Sequence, residues 1–114
     1  MAITAAFEGT EAVSTTEWSV TTDSAGPDVD TTAGVYQLFL DLSDMIAGDE
    51  LQIRFYEKVR AADTQRIFYQ SNLVGAQSPA NWVSPSFVLM NGWDMTLDAI
   101  AGTITVTWSV RKIA

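Results

Sequence analysis

The sharpest alternation of apolar and polar positions runs through residues 51–74, LQIRFYEKVRAADTQRIFYQSNLV. In its first arm Leu51, Ile53, Phe55 and Val59 share one face, broken by Glu57, while Gln52, Arg54, Tyr56, Lys58 and Arg60 share the other. The second arm sets Ile67, Tyr69 and Leu73 against Arg66, Gln70 and Asn72, so the stretch predicts a β-hairpin. A three-residue loop at residues 61–63 places Phe55 opposite Tyr69, Ile53 opposite Ser71 and Leu51 opposite Leu73. The same register sets Lys58 against Arg66, a like-charge pair costing up to about 1 kcal/mol. Burial of several large side chains, each worth roughly 1.5–3 kcal/mol, outweighs it. The prediction is therefore one basic outer face of Arg54, Lys58, Arg60 and Arg66, either a solvated strand face or a docking face for an acidic partner.

Other segments carry the same period of two. Residues 13–22 are rich in β-branched side chains and predict a first strand with Trp18 and Val20 on one face. Residues 35–42 put Tyr36, Leu38, Leu40 and Leu42 on one side and Gln37, Phe39 and Asp41 on the other; an exposed Phe39 there points to an interface. Residues 43–48, SDMIAG, suggest one helical turn capped by Ser43. Residues 75–85 read as a connection, and Pro85 confines any strand after it to an edge. Asn91-Gly92 predicts a type I′ turn joining strands at 87–90 and 93–97 into a second hairpin. Residues 103–113 alternate strictly, with Ile104, Val106, Trp108 and Val110 inward. About seven short strands without a useful amphipathic helix predict an all-β antiparallel sandwich or jelly roll. Residues 1–12, small or acidic apart from Met1, Ile3 and Phe7, are expected as an arm before a single domain at 13–114.

Composition narrows the chemistry. With 114 residues, of which 47% are hydrophobic, one packed core is attainable without staples, and the sequence has no cysteine to form any. It also has no histidine, which removes the usual general base and the commonest transition-metal ligand. No phosphate-binding glycine loop occurs, and two converging carboxylates would be needed for a hydrolase. The expectation is a protein with no enzymatic activity and no cofactor. Asp23, Asp28 and Asp30 share a loop but do not follow the EF-hand spacing, so turn-forming roles outrank a cation site. The net charge of −8 argues against nucleic acid. No stretch approaches the ~20 apolar residues of a membrane span, and the first residues lack the marks of a signal peptide.

Charge is unevenly distributed. Residues 1–50 hold ten acidic side chains and no basic one, whereas residues 51–114 hold six basic and four acidic, giving −10 and +2. Such polarity suits complementary patches between copies or partners, or an acidic solvated surface. Trp82 and Trp93, in a proline-bounded loop and beside a turn, are the candidate exposed platforms for a sugar ring or a protein partner.

The segments EWSVTTDSAGPDVDTTAGVYQLFLDLSDMIAGDELQIRFYEKVRAADTQRIFYQ and NWVSPSFVLMNGWDMTL resemble a group of small acidic β-rich proteins encoded among the virion genes of tailed bacteriophages. That resemblance, spanning residues 17–97, implies a capsid decoration (cement) protein made in the host cytoplasm and carried on the virion. It further implies contact with the major capsid protein and a homo-oligomer, often a trimer. A head-tail or tail-associated protein and a carbohydrate-binding sandwich are the alternatives. The interface residues expected are Arg54, Lys58, Arg60, Arg66, Phe39, Trp82 and Trp93.

Overall fold

The first strand forms where the apolar pattern is weakest. In the computed structural model, which describes residues 2–113, β1 (Thr4–Val13) pairs antiparallel with β10 (Ile104–Lys112), Val13 lying opposite Ile104. The segment expected as an arm is thus mostly a strand of the domain's own sheet; Met1 lies outside the described residues. Its inward position at Gly9 is filled from across the ladder: Trp108 stands opposite, and a Cβ on Gly9 would meet the indole at 2.6 Å. The ring takes the place of the missing side chain, so hydropathy alone does not reveal the strand.

Eight strands lie between these two: β2 (Trp18–Ser19), β3 (Ser24–Ala25), β4 (Gly34–Asp41), β5 (Glu50–Glu57), β6 (Arg66–Val74), β7 (Asn81–Val83), β8 (Phe87–Leu89) and β9 (Asp94–Ala101). They form two five-stranded antiparallel sheets, the first ordered β1-β10-β4-β7 with β8 also on β4, the second β3-β2-β9-β5-β6. The all-β sandwich expected from the alternation is present, with ten strands instead of seven. Between the sheets lie Tyr36, Leu38 and Leu40 of β4, Leu51, Ile53 and Phe55 of β5, Met95 and Leu97 of β9, and Ile104, Val106, Trp108 and Val110 of β10.

Several local expectations change. Residues 13–22 divide: Val13 ends β1 in the first sheet, and only Trp18 and Ser19 extend into the second. Residues 43–48 form turns and no helix, with the Asp41 carboxylate accepting from Ser43 N at 2.9 Å. The connection at 75–85 contains β7, which pairs with β4. Ser84 bridges the gap between β7 and β8: its Oγ accepts from Leu38 N at 2.9 Å while its own N donates to Leu38 O. The Asn91-Gly92 pair does not close a hairpin. β8 belongs to the first sheet and β9 to the second, so residues 90–93 carry the chain across the sandwich.

The hairpin of β5 and β6 keeps its predicted register from Leu51 opposite Leu73 to Phe55 opposite Tyr69. Beyond it, a bulge leaves Phe68 unpaired, so Tyr56 faces Ile67 and Glu57 faces Arg66. The connection is residues 58–65, longer than the expected three-residue loop. This corrects the Lys58–Arg66 pairing: the slip exchanges a like-charge neighbour for an opposite one. It also turns Ile67 outward and Phe68 toward Phe55 and Phe87, with ring centroids 6.3 and 5.0 Å away.

Candidate functional site

The four cations expected to form one basic face have separate surroundings. Arg54 lies on the outer side of β5, where its Nη1 is 3.4 Å from Glu17 Oε1 and 3.9 Å from Asp98 Oδ1, and its Nη2 donates to Gln52. Glu17 also accepts from the Tyr56 hydroxyl and from Thr96 Oγ1. This half-buried network braces β5, β9 and the entry to β2. Burial, followed by the hydrogen bond and charge of Glu17, pushes the Tyr56 hydroxyl up to about 12. Burial also raises the Asp98 carboxyl, against the lowering effect of Arg54. Asp98 Oδ1 and Arg54 Nε are buried without a hydrogen-bond partner.

Lys58 and Arg60 belong to the loop after β5. The Lys58 stem covers Gly92, where an added Cβ would lie 2.9 Å from Lys58 Cδ; φ there is +140°. Arg60 Nε and Nη2 each donate to Asp63 at 3.0 Å, closing a local turn in solvent. Arg66 is exposed, and its register with Glu57 puts it on the side opposite Arg54. The basic face is therefore not assembled: one cation is bound into a carboxylate network, two belong to a loop, and one is on the reverse side.

Trp93, expected as an exposed platform, is completely buried. Its backbone exchanges two 2.8 Å hydrogen bonds with Asp30, its Nε1 donates to Thr32 O at 3.1 Å, and its ring stacks at 4.4 Å on Tyr36. Trp82 is half-buried and packs against the core. The pair cannot present two sugar-stacking faces. The loop aspartates are also occupied locally: Asp23 accepts from Trp18 Nε1, Asp28 from Val29 N and Asp30 from Thr32 N. Among the described residues no three acidic side chains gather in the manner of a metal site.

Phe39 is where the alternation placed it, on the outer side of the first sheet. It is half-buried because the Arg111 guanidinium lies 3.7 Å above its ring centroid. Register places Val83 beside it, and Val35 with Val88 further along the same face; Val83 is 45% and Val88 77% exposed. Next to Phe39 the surface hollows into an open concavity of about 660 Å³, edged by Glu8, Thr10, Asp41, Asn81, Thr107 and Ser109. Two apolar pairs, Phe39 with Val83 and Val35 with Val88, stand on either side of Gln37 beside the bound cation, and such a face can seat a protein surface carrying apolar and hydrogen-bonding side chains. Arg111 has no local signature as a member of this surface. Its place above Phe39 depends on the pairing of β10 with β4, a contact between distant parts of the chain.

No family model matches the sequence, and no curated protein matches it either. The fold defines an antiparallel β-sandwich, and its outer surfaces supply the candidate contacts.

Proposed function

We propose that the protein is a non-enzymatic structural component of a tailed-phage virion, a decoration protein that binds the major capsid protein and stabilises the head. The observation that supports this reading is the outer face of the first sheet. Phe39, Val83 and Val88 leave apolar area in solvent around a single guanidinium, on a rigid sheet and without a deep cleft. The residues with perturbed ionisation support an architectural role instead of a reacting one. Asp94, raised by burial, accepts from Ser19, Thr21 and Asp28, and Tyr56 is committed to Glu17. The phage assignment itself comes from the sequence resemblance, and the exposed sheet face supplies the means of attachment.

Quantitative mass spectrometry of purified virions, with heads and tails separated, tests the reading. Recovery with heads, at a copy number that scales with the major capsid protein, is the expected result. Absence from virions overturns the virion role, and recovery with tails alone replaces decoration by tail association.

A further inference from the structure

We infer that two copies of this chain join edge to edge along β6, in an antiparallel pairing centred on Ser71 that makes one continuous sheet of the two second sheets. The inference deepens the virion reading by naming one of its contacts.

Four strand positions border the sheets, and they differ in what they offer. β3 has two residues, while β7 and β8 have three each and are separated by Pro85. β1 is long but carries Glu8 and Glu11 and is bulged between Ala5 and Phe7. β6 runs nine residues, RIFYQSNLV, and no other described strand pairs with its outer edge. It contains no proline, glycine or acidic residue, and of the devices that usually keep edges apart it carries Arg66 at its start and the bulge at Phe68. In a chain of net charge −8, it is the long edge on which two copies meet without bringing carboxylates together. Its flanks are already apolar: Phe68 is 45% exposed and Val74 69%.

A two-fold axis through a sheet pairs residues that face the same side, so the axis lies midway between the two copies of one residue. Centred on Ser71, the pairing sets Tyr69 against Leu73 along the inner side and Gln70 against Asn72 along the outer side. It carries Arg66 of each copy past Val74 of the other, so the two Arg66 side chains lie at opposite ends of the junction. No like charges of β6 therefore meet at the junction. Pairing about Gln70 instead would set Tyr69 against Ser71 and Phe68 against Asn72, a poorer match.

The chain has no cysteine, which makes cysteine substitution a clean probe. Light scattering on the purified full chain is expected to give twice its 12.4 kDa mass. Ser71→Cys is expected to form a disulfide-linked dimer under mild oxidation, while Gln70→Cys and the exposed-loop control Val59→Cys give less than a tenth as much. The double variant Gln70→Glu, Asn72→Glu sets carboxylates against each other and is expected to return the mass to 12.4 kDa. Gln70→Glu with Asn72→Lys, which makes both cross-axis pairs opposite, restores the dimer. A wild-type monomer or trimer, or cross-linking at Gln70→Cys in place of Ser71→Cys, overturns the pairing. A monomer leaves the virion reading intact, because particle composition decides that separately; a dimer of a protein absent from virions defeats only the latter.

Discussion

Asp94 shows how a single carboxylate can hold a sandwich together at a point the hydrophobic pattern does not mark. It is almost completely buried, and its oxygens accept from Ser19 Oγ at 3.0 Å, Thr21 Oγ1 at 2.7 Å and Asp28 N at 2.7 Å. These donors come from β2 and from the long loop after it, so one side chain on β9 fixes both. Asp94→Ala leaves buried donors without an acceptor and is expected to lower stability by about 2–3 kcal/mol in urea denaturation. A loss under about 0.5 kcal/mol, ordinary for an uninvolved surface position, contradicts the assignment. Tyr56 supplies a pH-dependent test. Its folded pKa is raised from 10.0 to about 12, so its contribution is complete below pH 10 and disappears as pH rises through 12. Wild type is expected to melt above Tyr56→Phe at pH 8, with the gap closing between pH 10 and 12; a constant gap contradicts the raised ionisation of Tyr56.

The strands divide into those whose sequence announces them and those that depend on distant partners. β4, β5 and β10 alternate cleanly because they occupy the interior of their sheets and turn one side to the core. The register of β5 with β6 was legible up to Phe55 for the same reason. The bulge at Phe68 was not, since it answers to Glu57, Arg66 and the aromatic contacts of Phe87 on the other sheet. Turn chemistry misled at Asn91-Gly92, because a dipeptide that favours reversal says nothing about which sheet receives the next strand. The Glu57 carboxylate holds this crossing by accepting from Met90 N at 2.7 Å and Asn91 N at 3.2 Å, and Asn91 Nδ2 donates to Val59 O at 3.0 Å. Glu57→Ala is expected to raise amide hydrogen exchange at residues 90–92 and 58–63 together at least tenfold, with β10 unchanged. Faster exchange in only one of the two loops contradicts their coupling. Of the expected interface residues, Phe39 was legible from period two alone, whereas the separation of the four cations depended on the bulge and on contacts between strands.

The whole molecule is a flat body, 41 × 31 × 20 Å, with exposed valines around Phe39 on one broad face and, at one side, the β6 edge, which carries no acidic residue. A flat sandwich places large contact areas on rigid sheet, and its polar clusters are spent on bracing strands. Docking by the first sheet would leave β6 free at the border of the second, so the proposed attachment and the proposed pairing would use different surfaces. Phe39→Asp is expected to reduce occupancy on heads at least tenfold while the melting temperature of the isolated chain stays within a few degrees. The most direct measurement is a cryo-electron microscopy map of the virion at a resolution that separates strands. The account predicts this sandwich on the head exterior with Phe39, Val83 and Val88 turned onto the major capsid protein; a head without it, or one carrying it with that face turned to solvent, contradicts the account.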